Sequence, residues 1–538
     1  MTLGICYSLR GSCSVFSVLS FAIFAALCFI SLILYLSLPK AISRIAARTH
    51  ALGPTEGVKS PMCVFTASLA ALTICWLPYL ISTFPGLFVY DAITQTVQTI
   101  SLHQVNSWHT LIHTFWLCKL MEFGKETLDS YEAGFSIYTI SQYLLYALTI
   151  SLAIKRLAQL NAPKLLLTLS IAFFALFPIF PIMAVSSTKD TLFSGLFFLF
   201  CVDLLLILAK GNQASCLVEF TVTGLLLCCF RNNAFYVVAV LTPLFLIVSK
   251  ERQIKLLYSA IVILGFILAI VIPKAVSQYS SGPSEILSIP MQQVCRAATK
   301  HKNKLTKNEI EKLDTIVPAW RNYNPAITDP VKFADNTAAC IENQMDDFFK
   351  LWASLLLKHP SDYLDAIIGL TNNWVNPLAR YQQELTNQPY LQCDSYEIYS
   401  PDQLVRRWPD HKEYVSYDTS LVIPIKQTNL FPPFKILVRA ICYGPIWEAN
   451  PILRVLTSPA TICWFILLAC FVALEKKRPS TFITVAFILL YFLTCLLGPV
   501  YLVRYALPFY QVIPLLIYIL QSLVTIESKN KRIGKTDR

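Results

Sequence analysis

Charged side chains are scarce in this chain: Asp, Glu, Lys and Arg make up 14% of its 538 residues, while 55% are hydrophobic. Soluble domains carry about 25% charged residues, so a water-soluble globular fold is excluded. There is no Cys-x-x-Cys pair and no His-Glu-x-x-His run, so the common sequence signs of a metal site are missing. No Asn-x-Ser/Thr acceptor lies between residues 277 and 458, so nothing marks that region as glycosylated. Internal repeats are also lacking, which weighs against a transporter built from inverted halves. The first apolar run, near 15–38, has no basic start and no clear cleavage site. It is too long for a signal-peptide core and reads as a retained span.

What the chain does have is long apolar runs. Mean hydropathy is +0.55, and several stretches reach the length needed to cross a bilayer. Spans are expected near 15–38, 62–83, 131–154, 165–186, 191–209, 216–230, 234–249, 256–276, 459–474, 480–498 and 505–525. The stretch 216–249 also reads as one broken helix pair. The expectation is an all-α polytopic membrane protein of about 11 transmembrane helices with a large, mainly helical, extracytoplasmic insert. Residues 1–276 form an N-terminal bundle of about eight spans with an outer loop at 84–130. Residues 277–458 form the insert, 459–526 the C-terminal membrane helices, and 527–538 a basic tail.

The net charge of +12 does not point to nucleic acid, because the basic residues sit in short loops between spans. Lys40, Arg44, Arg48 and Lys59, then Lys155, Arg156 and Lys164, then Lys210, then Lys250, Arg252 and Lys255, then Lys476, Lys477 and Arg478, and the tail all fall on one side of an eleven-span chain. The positive-inside rule makes that side cytoplasmic, with the C-terminus inside and the insert outside. The lipid bilayer is the first partner.

The opposite side collects the polar groups suited to chemistry. Asp91 follows a span and the turn Pro85-Gly86, with Gln95 one turn later and His109 and His113 downstream. A carboxylate in partly desolvated surroundings has a raised pKa and suits general-base work; the plainer reading is a helix cap after a turn. His109 and His113 are spaced to share a helix face, and fit hydrogen bonding to a phosphate or sugar better than a metal. Lys189-Asp190 reads either as a capped helix start with a local ion pair or as a phosphate-binding lysine. Arg231-Asn232-Asn233 interrupts an apolar stretch, and a charge at membrane depth is costly and usually functional. Arg231 reads as an anion ligand or as a snorkelling anchor, and Arg504-Tyr505 has the same two readings.

The insert is rich in Pro, Asn, Asp and aromatics. Helices are expected at 306–314 and 343–358, a short apolar segment at Leu364–Leu370, and a re-entrant or interfacial stretch from Lys435 to Leu456. Most of the 17 cysteines lie in apolar spans, where Cys is a small hydrophobe. Only Cys295, Cys340, Cys393 and Cys442 lie in the insert, where one disulfide is possible.

Taken together, these pieces resemble an uncharacterised family of bacterial multi-span proteins. They are Pro85-Gly86 with Asp91 and Gln95, Gln142, Lys189-Asp190, Arg231-Asn232-Asn233 and Pro290-Met291-Gln292-Gln293. Further along come Asp329-Pro330-Val331-Lys332, Leu351-Trp352 with Pro360 and Tyr363, and Gly498-Pro499 with Arg504-Tyr505-Ala506-Leu507-Pro508. The family pattern has His-Pro where this chain has His109-Thr110. More distantly the chain is similar to GT-C membrane glycosyltransferases, through an acidic residue in the first large outer loop.

The GT-C likeness implies a polyprenyl-phosphate sugar donor and an envelope glycan or lipid acceptor at the outer face of a bacterial plasma membrane. Asp91 would deprotonate the acceptor or hold a divalent cation (Mg or Mn), and no metal ligand set is expected otherwise. Lys189, Arg231 and Arg504 would neutralise the leaving phosphate. Gln292, with Asn232, Asn233 and Tyr505, joins the substrate-binding set. Trp320, Tyr323, Trp374 and Tyr381 would stack on sugars or anchor at the interface. The competing expectations are a transporter or flippase of a lipid-linked or anionic substrate, and a non-enzymatic envelope assembly protein.

Overall fold

The structure is a computed structural model. It describes residues 60–523 apart from 106, 108, 212–213, 278–285, 387–388, 394–421 and 429, and only isolated positions before 60. The span expected at 15–38, nearly all of the 39–61 loop and the basic tail lie outside the described residues.

Among the described residues the regular elements are all helical. The bundle consists of α1 (Pro61–Ser82), α2 (Leu111–Leu128), α3 (Tyr131–Gln159), α4 (Lys164–Leu176), α5 (Lys189–Lys210), α6 (Ala214–Phe230), α7 (Asn232–Val248) and α8 (Arg252–Val276). The insert contributes α9 (Ser288–Lys300), α10 (Met345–Lys358) and α11 (Pro360–Val375). The chain then returns as α12 (Pro459–Glu475), α13 (Pro479–Leu496) and α14 (Val503–Leu523).

Six of these, α1, α3, α5, α8, α13 and α14, are long and apolar enough to cross a membrane. A seventh crossing results if Pro451–Thr457 and α12 form one span bent by 48°. The count of eleven is therefore not reached by length and composition among the described residues; α4, α6 and α7 are apolar but shorter. The reasons are local. The run at 165–186 stops being one helix after Leu176, and Pro178 precedes a separate helix, Ile179–Ala184. Proline has no N–H to continue the ladder. The run at 216–249 divides at Arg231, whose backbone is extended (φ −151, ψ 121), and α6 and α7 pack on each other.

Helix α5 is the axis of the bundle. It is apolar all round, and 89% of its most hydrophobic window is buried, as expected of a helix surrounded by others. Its neighbours are α3, α6, α13 and α14. Helices α1 and α8 are peripheral, with only 28% and 22% of their windows buried. Their outward Ile74 and Ile263 are exposed apolar side chains suited to lipid.

Hydrogen bonds define the two ends of the bundle. At one end Lys210 Nζ donates to the Gln159 carbonyl, Ser480 Oγ to Leu208 (3.0 Å) and Tyr518 OH to Leu160 (2.8 Å). Lys210, Arg478 and the 155–164 turn thus share that end. At the other end the loop after α1 pairs with the loop before α5: Leu87 N donates to Val185 O (2.8 Å) and Ser187 N to Leu87 O (2.9 Å). Ser187 Oγ accepts from Val89 N at 2.9 Å.

The expected insert helices form. Lys307–Ile316 starts with a capping box of Thr306 and Glu309, and 343–358 is largely α10. Residues 287–363 have a core of their own around Met291, Trp320, Phe348, Leu355 and Tyr363. Trp374, Tyr390, Leu391, Cys393, Val438 and Cys442 of the insert pack into the core of the bundle. Lys435–Leu456 breaks into short helices at Gly444-Pro445 and Asn450-Pro451. Cys295, Cys340 and Cys393 carry free thiols, so the possible disulfide does not form among the four insert cysteines.

Gly86 fixes the loop leading to Asp91. Its φ is +139°, and an added Cβ would collide with Thr139 on α3. Gly86→Ala is expected to cost roughly 1–3 kcal/mol, the scale of local backbone strain. A thermal melt of the purified protein should show a lowered Tm; an unchanged Tm would contradict this placement.

Candidate functional site

A cluster of charges, with Asp190 and Arg504 buried and Asp91, Lys189 and Arg231 half-buried, lies where the loop after α1 meets the first turns of α5, α7 and α14. Thr188 caps α5, and its hydroxyl accepts from Asp190 N. Lys189 and Asp190 are the first two residues of α5, Arg231 is the N-cap of α7, and Arg504 lies in the first turn of α14. Helix N-termini carry positive partial charge and unsatisfied N–H groups.

The charges alternate. Asp91 Oδ1 accepts from Arg504 Nη2 at 3.2 Å, and Lys189 Nζ stands 3.5 Å from Asp91 Oδ2. Arg504 Nε is 3.6 Å from Asp190 Oδ2, and Arg231 grips Asp190 Oδ1 through Nε (2.8 Å) and Nη2. Three positive and two negative side chains leave one net positive charge. Aromatic faces cover the guanidinium groups: Tyr90 lies 4.6 Å from Arg504, and Tyr505 lies 4.7 Å from Arg231. Nη1 and Nε of the buried Arg504 have no hydrogen-bond partner. A buried guanidinium with unused donors is suited to an anion, most naturally phosphate or carboxylate.

The chain is strained beside Asp91. Tyr90 has φ +58°, rare for a bulky residue. Gln392 from the insert holds it there, accepting from Tyr90 N at 2.8 Å and donating its own N–H to the Tyr90 hydroxyl at 3.2 Å.

His109 Nδ1 is 3.8 Å from Asp91 Oδ2. Burial lowers its pKa to about 4, and the nearby Lys189 and Arg504 add to this against the pull of Asp91. The ring is therefore neutral near pH 7, and its Nδ1 has no hydrogen-bond partner. Asp91 reverses the expected raised pKa. Burial pushes its carboxyl up, but Arg504, Lys189 and the Arg504 hydrogen bond hold it well below the usual carboxylate range.

The two histidines part company. Thr110 is the N-cap of α2, with extended backbone, so His109 precedes the helix and does not share a face with His113. His113 Nε2 is 2.8 Å from the Tyr138 hydroxyl, which donates to Gln142 Oε1 at 2.6 Å. Gln142 Nε2 in turn binds the carbonyls of Ala184 and Ser186. His113 therefore steadies the loop that carries Lys189. Gln95 has a similar role: its Nε2 donates to Thr114 on α2 at 2.8 Å, and its backbone N–H caps Asp91 O.

His109 also lines a cavity of about 200 Å³ with Ser107, Thr110 and Asn232. Its other wall is apolar: Leu111, Ile112, Leu268, Ala269 and Pro273. The last three belong to peripheral α8. The cavity thus runs between His109, whose Nδ1 faces Asp91, and the peripheral helix α8.

Other expected site residues lie elsewhere. Gln292 Nε2 binds the carbonyls of Asn324 and Ile327, and that loop docks on the approach to α14 through Thr328 N to Pro499 O. Asn233 has no side-chain hydrogen bond among the described residues. Trp320 and Trp374 are 1% exposed, so they are core residues with no face for a sugar. Tyr323 and Tyr381 are partly buried.

Asp91 does not fit the expected divalent cation. Arg504 and Lys189 hold its two oxygens, and its neighbours are cations rather than the oxygen donors that Mg²⁺ or Mn²⁺ requires.

One charged cluster escaped the sequence reading. At the opposite end of α5, Arg156 Nε pairs with Glu219 (2.8 Å) and Asp203 (3.3 Å), and Asp203 is fully buried. The clue was Asp203 and Glu219 within apolar runs.

The fold and the cluster define an integral multi-pass helical membrane protein with a partly buried charged site at one end. Within that class, the chain belongs to DUF6020, a family of unknown function whose sequence profile matches residues 100–535. Lys189, Asp190, Arg231 and Arg504 fall inside the match, and Asp91 lies just before it. No curated protein and no solved structure matches the chain.

Buried His113 and largely buried His109 bind protons less readily when folded, at about 4 for His109 and about 3 for His113, against an ordinary 6.5. The unfolded chain takes up their protons first, so this stability is present above about pH 6.5 and is lost as pH falls toward 4. Asp91 is depressed, so its contribution persists through that window and fades only below the ordinary carboxylate value. Melts from pH 7 to pH 4.5 should show a falling Tm, with a shallower fall in His109→Gln. An equal slope in both proteins would contradict the neutral buried imidazole.

Proposed function

We propose that this protein is a membrane glycosyltransferase. It moves a sugar from a polyprenyl-phosphate donor to an envelope glycan or lipid acceptor at the extracytoplasmic face. The observation that carries the reading is Arg504: buried, with Nη1 unpartnered and Nε only in a long 3.6 Å contact with Asp190, bonded to Asp91 and beside Lys189. Three features support it. The cluster has a net positive charge and sits at helix N-termini, which favours phosphate. The cavity that His109 lines has polar groups on one wall and apolar ones toward α8, which suits an amphipathic ligand. The basic turns at 155–164 and 476–478 belong to the other end of the bundle, which the positive-inside rule makes cytoplasmic. The count of about 11 spans and the bacterial plasma membrane belong to this same proposal.

In the reaction the acceptor oxygen bonds the anomeric carbon as the bond from that carbon to the phosphate oxygen breaks. The electron pair leaves with the polyprenyl phosphate, where Arg504 and Lys189 meet the new charge. The acceptor proton passes to Asp91. As a weak base, Asp91 accepts the acceptor's hydrogen bond first and takes the proton late, once bond formation has made the oxygen acidic. Neutral His109, with Nδ1 open, is placed to receive that hydrogen bond or relay the proton.

A second reading is favoured by the Arg156, Asp203 and Glu219 cluster. Ionisable groups at two depths along α5 suit a transporter or flippase of a lipid-linked anion. An envelope assembly role without chemistry requires neither cluster.

Deletion of the gene followed by complementation separates these readings. Wild type should restore a missing envelope sugar mass by mass spectrometry. Asp91→Asn, at equal membrane levels, should restore less than about 1% of it, given the roughly 10²–10⁴-fold contribution of a general base. Full restoration by Asp91→Asn would remove the catalytic role of Asp91. Loss with Asp203→Asn but not Asp91→Asn would favour transport.

A further inference from the structure

The insert contains a second constellation, remote in sequence from every residue of the charged cluster. His301 follows the last residue of α9, His359 sits at the junction of α10 and α11, and Asp362 lies in the first turn of α11. Their ligand-capable atoms all lie within 4.8 Å of one another. The two imidazoles are parallel, 3.9 Å apart. His301 Nε2 is 2.8 Å from Asp362 Oδ2.

We propose that His301, His359 and Asp362 form a zinc site that clamps α9 to the α10–α11 junction. The donor set decides the metal class. Two imidazoles and one carboxylate suit Zn²⁺, whereas Mg²⁺ and Ca²⁺ prefer oxygen ligands. Three protein ligands leave a fourth tetrahedral position for water. Donors around a tetrahedral zinc stand about 3.3 Å apart, from bonds of about 2.0 Å; because the two rings are stacked and each nitrogen lone pair lies in its ring plane, loading requires one of the partly exposed imidazoles to swing out of the stack about its side-chain torsions. The backbone is already fixed: His359 N donates to Leu355 O at 2.9 Å and Asp362 N to His359 O at 3.1 Å. Helices α9 and α11 are in close contact, so the clamp joins packed elements.

Lys300 is the competitor. Its ammonium lies 2.5 Å from Asp362 Oδ1, and 3.7 Å from Asp365, which also pairs with Arg296 at 3.2 Å. An arriving Zn²⁺ displaces Lys300 from Asp362, and the lysine retains Asp365 as its partner. A zinc site here and an ordinary ion pair therefore differ in what removal of Lys300 does.

The test uses the full-length protein in detergent, stripped with a chelator and dialysed. Zn²⁺ alone is titrated against a chromophoric competitor, with excess Mg²⁺ present throughout. Wild type should bind one Zn²⁺ and gain Tm on loading. His359→Gln should lose at least tenfold in affinity, and Lys300→Met should bind several-fold more tightly. Co²⁺ should give the visible absorption of a tetrahedral site in wild type and not in His359→Gln. A melt of each metal-free protein shows that the insert is folded. The proposal is overturned if wild type binds no Zn²⁺, or if folded His359→Gln binds it as wild type does.

Discussion

Burying a charge in or beside a bilayer costs several kcal/mol unless an opposite charge meets it. That constraint organises the end of the bundle where α5, α7 and α14 begin. Asp91, Arg504, Asp190 and Arg231 form an alternating chain, with Lys189 beside the first carboxylate. Each comes from a different segment, apart from the adjacent pair at the start of α5. Satisfying the charges therefore fixes how the starts of α5, α7 and α14 meet the loop after α1. Removing one partner from such a chain leaves the other uncompensated, a loss of about 3–5 kcal/mol.

The support around the cluster follows from the same need. Gly86 allows the close approach to α3, and Ser187 locks the two loops together through Leu87 and Val89. His113, Tyr138 and Gln142 hold the carbonyls just before Lys189. The insert closes the arrangement from above, as Gln392 grips Tyr90 and Thr328 holds the approach to Arg504. Arg504 is left with unused donors in a site that already excludes most solvent. An anion meets those donors without the reorganisation that water would demand.

Much of this was legible from residue types alone. Asp91, Lys189, Arg231 and Arg504 interrupt apolar surroundings, and the short-loop lysines and arginines placed them on one side together. What was not legible depended on tertiary distance or on where helices begin. His109 and His113 have helical spacing, but the helix starts between them at Leu111. Asp203 and Glu219 are hidden in apolar runs, and Arg156 read as a loop cation until α3 extended to Gln159. His301 and His359 lie 58 positions apart, so no local motif joins them with Asp362. Trp320 and Trp374 read as sugar-stacking or interface aromatics because local sequence does not report burial. Among the described residues the crossing count fell short of eleven because Pro178 ended the run at 165–186 early and because α6 and α7, already read as separate, are shorter than a full span.

The central claim is that Arg504 and Lys189 hold the phosphate of a membrane lipid beside Asp91. The direct measurement is binding of a polyprenyl phosphate to purified protein in nanodiscs by native mass spectrometry, with the matching polyprenol as control. Wild type should retain the phosphate and not the alcohol, and Arg504→Gln should weaken retention about tenfold or more while the protein stays folded. Equal retention of phosphate and alcohol by wild type, or by folded Arg504→Gln at the wild-type level, would contradict the account.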